Sequence, residues 1–382
     1  MTGQKAGAAA AGRIPELDGI RGMAVTMVIA YHYISAVPRP ASSGFLHYFQ
    51  ACFRIGWCGV DLFFVLSGFL IGGILLDAKG SPSYFRTFYI RRFHRILPIY
   101  YLWIGIYFLM AFSSFRHLPA PLEIAPLRWT LVPVFVFFIQ NLVPKQLPGF
   151  SARWFGPLWS LAVEEQFYLT MPAVVRFLSK RWLGIFLCLT ILCAPVARVA
   201  AYFLSPTHTV QLVATPCRAD DLAMGVLLAV AWRDQRWRER IHNHRKLFRT
   251  ILLGLLIGVL YLAVWSPSPY GLTAAVWGYS CLGAFFTGIL LLALVAPGGA
   301  WAAFCRWGVW GNIGKVSYCM YVIHLAVDGF CHAFLLSSVE DISTPRSFAV
   351  TLLAAGLTWG IARISWRFFE APLVRRGHAY RY

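Results

Sequence analysis

The chain has 382 residues, of which 59% are hydrophobic, 16% aromatic and only 13% charged. Soluble domains carry about 25% charged residues, so this composition excludes an ordinary soluble enzyme and points to long apolar segments in lipid. The 34 Lys and Arg against 15 Asp and Glu give a net charge of +19, but these bases cluster in the links between apolar runs. There they set topology and meet anionic membrane lipid, which argues against nucleic acid as the partner.

Residues 1–16 read as a disordered, Ala-rich tail without the apolar core of a cleavable signal peptide, so the first apolar run acts as an uncleaved signal-anchor. Ten apolar runs follow, at 20–37, 57–76, 96–113, 158–178, 182–204, 217–232, 250–266, 274–295, 309–336 and 346–369. Most match the length of about 20 residues that a membrane helix needs. Trp57, Trp129, Trp182, Trp265 and Trp301 stand near run ends, where they suit interfacial anchoring.

Residues 131–143 (LVPVFVFFIQNLV) are apolar but short. With this segment non-spanning and the N-terminus inside, inner links hold 25 Lys and Arg and outer links 8, with Arg198 inside a span. Making the segment a full span would move later basic links outside, against the positive-inside rule. The expected fold is therefore an all-α polytopic membrane protein of about ten transmembrane helices. It has one short re-entrant or interfacial segment and both termini in the cytoplasm. Residues 17–372 form the membrane domain and 373–382 a basic cytoplasmic tail, with no soluble domain expected after it.

The nine cysteines are scattered, with no CxxC and no metal-ligand spacing. They read as small packing residues, and no metal is expected. A disulfide between Cys52 and Cys58 is weakly supported.

Ionisable residues inside spans are costly and mark functional sites. The first span carries Arg21 near its cytoplasmic end and His32 eleven residues on, about 16 Å along a helix. Asp61 enters the second span from outside and needs a partner. Arg92 and Arg95, three residues apart, share a helix face at the inner surface, where two guanidinium forks suit a phosphate. The fourth span opens with Ser160, Glu164 and Glu165, the sixth with Arg218, Asp220 and Asp221, and the ninth carries Ser317, Tyr318, Tyr321 and His324. By depth, His32, Glu164 and His324 form a middle-to-outer layer above an inner layer of Arg21, Arg92 and Arg95. That layout suits an anionic donor from the cytoplasm and a hydroxyl acceptor from outside. Histidine is tuned to take a hydroxyl proton near neutral pH, with a nearby carboxylate to orient it.

Together the segments LDGIRGMAVTMVIAYH (17–32), GVDLFFVLSGFLI (59–71), RRFHRILPIYY (91–101), LWSLAVEEQFYL (158–169), GKVSYCMYVIH (314–324) and FFEAPLVRR (368–376) resemble acyltransferase family 3. These are membrane enzymes that O-acylate bacterial surface glycans, lipid-linked sugars and some macrolides. The resemblance implies about ten spans in the bacterial inner membrane and an acyl-CoA donor, commonly acetyl-CoA, on the cytoplasmic side. It implies His32 as catalytic base, Arg21, Arg92 and Arg95 at the donor site, and a role for Glu164 or Glu165. Asp61, Ser160, Asp221, Ser317, Tyr318 and His324 stand as candidates for binding the carbohydrate or glycoside acceptor. Some members of that family carry a fused esterase-like domain, and here such a partner is expected to be a separate protein. The competing reading is a transporter using the buried His, Glu and Asp as a relay. Oligomeric state is not readable from the sequence.

Overall fold

Among the residues described by the computed structural model, 14–37, 44–112, 122, 132–143 and 153–382, all regular elements are helices. Each of the ten apolar runs forms one. They are α1 (Pro15–Ala30), α2 (Gly59–Ala78), α3 (Tyr84–Phe112), α4 (Leu158–Phe177), α5 (Lys180–Leu204), α6 (Thr215–Trp232), α7 (Arg245–Trp265), α8 (Tyr279–Val295), α9 (Gly308–Leu336) and α10 (Pro345–Ser365). The disordered stretch expected at the N-terminus lies outside the described residues up to position 13.

Seven helical stretches are long and apolar enough to cross a membrane, and they contain α2, α3, α5, α7, α8, α9 and α10. The chain is a multi-pass membrane protein. The remaining three, α1, α4 and α6, each carry ionisable residues: Arg21 on α1, Glu164 and Glu165 on α4, and Arg218, Asp220 and Asp221 on α6. The apolar helices divide by burial. Only 6% of the apolar stretch of α7 is buried in the bundle, against 72% for those of α2 and α9. Lipid therefore solvates the exposed Leu253, Ile257, Leu260 and Val264 of α7.

Two close helix crossings build the centre. On α1 and α9, a Cβ placed at Gly314 would sit 1.9 Å from the Asp18 carbonyl oxygen, and one at Gly22 would sit 2.2 Å from that of Trp310. On α2 and α6, Gly68 and Gly225 each bring the facing backbone to within 2.1 Å of a would-be Cβ. Small residues at a membrane helix crossing allow this approach and the dispersion contacts it brings.

Polar contacts sort the links onto two faces. Asp77 pairs with Arg233 at 2.5 Å and Lys180 with Asp234 at 2.9 Å. Lys79 donates to the Leu178 carbonyl at 2.6 Å, and Arg306 pairs with Glu16 at 2.5 Å. At the opposite ends of the helices, Trp57 donates to the Pro267 carbonyl at 2.8 Å, Gln211 to that of Pro269 at 3.1 Å, and Arg153 pairs with Glu340 at 2.6 Å.

The described part of segment 131–143 contains a five-residue helix, Val132–Val136, about 7.5 Å long and too short to traverse hydrocarbon. It then turns inward. Gln140 donates to the Leu158 carbonyl at 2.8 Å, and Asn141 to the Val213 carbonyl and Thr215 hydroxyl at 3.2 and 3.0 Å. Polar side chains thus satisfy backbone groups where the chain is irregular.

The stretch expected to be a basic tail is ordered. Ala371–His378 is helical and the end of the chain docks on the start of α3. Arg91 donates twice to the Tyr380 carbonyl, at 3.0 and 2.6 Å, and Ser83 and Thr87 each reach the Arg381 carbonyl at 3.0 Å. All nine cysteines, Cys52 and Cys58 included, are free thiols.

Candidate active site

The last turn of the first span widens. Residues Tyr31–Ser35 form a π-helical turn, closed by the Ala36 amide on the Tyr31 carbonyl at 2.8 Å. Such turns recur at functional sites because they re-aim a side chain, and this one carries His32. Nδ1 of His32 lies 3.0 Å from Nε2 of His324, whose own Nδ1 lies 2.7 Å from the Tyr321 carbonyl oxygen. A carbonyl only accepts, so Nδ1 of His324 carries the proton and its Nε2 accepts from His32. The Nε2 of His32 is left with its lone pair. His324 is fully buried, and its main-chain carbonyl accepts from the Tyr33 hydroxyl at 2.7 Å.

His32 lines a cavity of ≈ 350 Å³ together with Tyr31, Trp57, Asp61, Trp159, Arg218, Tyr270 and Tyr321. One wall of it is ionic. Arg218 lies 2.8 Å from Asp61 and 3.2 Å from Asp221, with all three side chains fully buried. The Arg218 guanidinium also lies 4.1 Å from the centroid of the Tyr279 ring. Behind it Arg198 bonds both oxygens of Asp220 at 2.9 Å and Ser280 at 2.6 Å. Buried charges persist in an apolar bundle only when paired in this way.

A second cavity, ≈ 110 Å³, lies toward the end of the bundle where α3 begins. Arg21, Arg92, Arg95, Glu164, Ser67, Tyr168, Ser160, Ser317 and Tyr318 line it. Arg21 is 3.3 Å from Asp18. The Arg92 guanidinium stands 5.8 Å from the Tyr168 ring centroid, and the Tyr168 hydroxyl is 2.6 Å from that of Ser67. Tyr318 donates to the Ile96 carbonyl at 2.9 Å. Three guanidinium groups against one lining carboxylate make this an anion-attracting pocket.

The structure brings together all three arginines singled out in the sequence, with Ser160, Ser317 and Tyr318 beside them. It moves Glu164 out of the layer assigned by depth: Glu164 lines the arginine cavity, and the group that meets His32 is His324. Glu165 lines neither cavity, because adjacent helical residues point about 100° apart, and its Oε1 is buried without a hydrogen-bond partner among the described residues. Asp61 reaches the outer cavity. Asp221 lies behind it on Arg218, and His324 lies behind His32.

Arg218, singled out at the start of the sixth span, is the cation that Asp61 required, a pairing the sequence left open. Two contributors were not among the candidate site residues. Tyr168 stands four residues after Glu164, hence on the same face of α4. Ser67 carried no distinguishing signal among the small residues of its span.

The site is thus a histidine with a free lone pair beside an arginine-lined pocket, inside a membrane helix bundle. Residues 14–363 match the family model described as an acyltransferase domain, that of acyltransferase family 3, and the chain belongs to this family.

It is 30% identical to the peptidoglycan O-acetyltransferase OatA of Listeria monocytogenes over 389 residues, covering 95% of this chain and 56% of that protein. It is 28% identical to the putative peptidoglycan O-acetyltransferase YrhL of Bacillus subtilis over 381 residues, covering 95% and 55%. A putative O-acetyltransferase of Staphylococcus aureus is 26% identical over 389 residues, covering 95% and 58%. The chain thus spans a little over half the length of these relatives. No solved structure matches it.

Proposed function

We propose that this protein moves an acyl group, acetyl by the names of its relatives, from cytoplasmic acyl-CoA to a hydroxyl of a glycan, with His32 as general base. The observation that carries the reading is the hydrogen-bond chain from the Tyr321 carbonyl through His324 to His32. It holds one imidazole in the tautomer that accepts a proton, facing a cavity large enough for a sugar-sized group.

The two cavities divide the work. The inner one has room for on the order of ten water-sized groups, enough for a thioester arm and too little for a nucleotide. The nucleotide therefore stays at its mouth, where Arg92 and Arg95 meet its phosphates, with Glu164 as the one carboxylate lining the cavity beside them. In the transfer step the acceptor hydroxyl gives its proton to Nε2 of His32 and its oxygen bonds to the acyl carbon. The carbon–sulfur bond breaks, and the CoA sulfur leaves as thiolate or takes the proton back from His32. General base catalysis of this kind contributes about 10²–10⁴-fold.

The orientation follows from charge. The basic links are the ones joined on one face, so that face is cytoplasmic. Ten crossings, both termini inside and the bacterial plasma membrane as location complete the reading. The names of the relatives make peptidoglycan the first acceptor to try.

The test uses purified protein in liposomes with acetyl-CoA and lysozyme-solubilised peptidoglycan strands, reading free CoA and ester-linked acetate. Acceptor-dependent CoA release that disappears in a folded His32→Ala variant is expected. Full transfer by that variant would sink the assignment of the base. Glycan flux without CoA release would favour a transporter.

A further inference from the structure

Val60 and Tyr321 line both cavities. They form the partition between the arginine pocket and the chamber of His32. The Tyr321 ring is fixed at both ends. Its hydroxyl lies 2.6 Å from that of Ser160, which is itself 3.1 Å from the Pro157 carbonyl. Since Ser160 donates its proton to that carbonyl, the tyrosine hydroxyl donates to Ser160. The Tyr321 main-chain carbonyl accepts from His324, so the residue that walls the neck also sets the tautomer of the histidine pair. The Phe63 ring packs edge-on against the Tyr321 ring from the α2 side, with centroids 6.0 Å apart at 73°.

We propose that Tyr321, closed against Ser160 and faced by Val60, sets the length of acyl group this enzyme transfers. This deepens the proposed function and rests on its acyl-CoA donor. A thioester arm in the inner cavity presents its acyl end to a neck one tyrosine wide. An acetyl group reaches the side of His32 with little displacement. A longer chain must displace the ring, break its hydrogen bond to Ser160 and fill a cavity already narrow.

Each methylene a pocket admits or refuses changes selectivity by about 10–200-fold. Truncating the wall should therefore raise the use of longer donors relative to acetyl.

The experiment measures kcat/KM for acetyl-, butyryl- and hexanoyl-CoA with solubilised peptidoglycan strands as acceptor, in the unaltered protein and in Tyr321→Ala, Tyr321→Phe and Val60→Ala. Tyr321→Ala should raise the butyryl-to-acetyl ratio at least about tenfold. Tyr321→Phe, which keeps the ring but loses the bond to Ser160, should raise the ratio by less than Tyr321→Ala does. If Tyr321→Ala does not fold, Val60→Ala widens the same neck from α2 and should shift the ratio in the same direction. Unchanged ratios in every folded wall variant, with normal acetyl transfer by the unaltered protein, would overturn the role of Tyr321 alone. An unaltered protein that turns over none of the three donors would overturn the donor reading and this inference with it.

Discussion

His324 Nε2 accepts a hydrogen bond from Nδ1 of His32 at 3.0 Å, and it can do so because its own Nδ1 donates to the Tyr321 carbonyl at 2.7 Å. Two imidazoles in series thus replace the carboxylate–imidazole pair expected from the sequence. A neutral orienting group fixes the tautomer without adding a second charge in a low-dielectric site.

That arrangement predicts unequal effects at the two histidines. His32→Ala should lower turnover by about 10²–10⁴-fold. His324→Ala should cost less, and His324→Gln less again, since its amide oxygen accepts the same bond from His32. Single-turnover acetyl transfer checks the order. Equal losses for His324→Ala and His324→Gln would count against an orienting role.

At the inner cavity, Arg92→Ala combined with Arg95→Ala should raise the KM for acetyl-CoA several-fold more than the KM for the acceptor. Lysine at both positions should restore little, because an ammonium lacks the bidentate fork that matches a phosphate. Steady-state kinetics with each substrate varied in turn decide this. An unchanged donor KM and turnover would exclude a donor-site role.

The buried ionic wall makes a stability prediction. Arg218→Leu leaves Asp61 and Asp221 fully buried without their cation. Breaking a buried pair from one side costs about 3–5 kcal/mol. Asp61→Asn should cost clearly less, because Arg218 keeps Asp221 and three carboxylates facing two guanidinium groups become two facing two. Thermal unfolding in detergent should rank the variants in that order.

The crossing of α1 with α9 makes another. Gly314→Ala drives a methyl toward the Asp18 carbonyl, 1.9 Å from its ideal position, and overpacking of this kind costs about 1–3 kcal/mol. Because α1 carries Arg21 and leads directly into the π-helical turn that holds His32, activity should fall with stability. Gly311→Ala, one turn earlier with nothing within 4 Å, should do neither. Paired melting and activity assays compare the two.

Much of this molecule is legible in its sequence. Each apolar run stands where a helix forms, because an apolar segment in lipid must satisfy its own backbone. The shortness of segment 131–143 and the placement of Lys and Arg mark it as distinct before any coordinates. Arg21, Arg92 and Arg95 stand out because charge in a span demands a reason.

The order at the C-terminus was not legible, since docking on α3 depends on carbonyls of Tyr380 and Arg381 that carry no residue signature. The grouping of Glu164 was misread for a related reason. Depth along a helix follows from residue number, but direction around the bundle depends on which neighbour the helix faces.

Returning to His32, its presence inside a span and its eleven-residue offset from Arg21 were determined by sequence alone, through the fixed rise of a helix. That it meets His324 rather than a carboxylate, across 292 positions of chain, was decided by tertiary structure. Close crossing at Gly22 and Gly314 brings α1 and α9 together, and a π-helical turn aims the ring. Those are properties of packed backbones, and no local pattern encodes which partner the packing supplies.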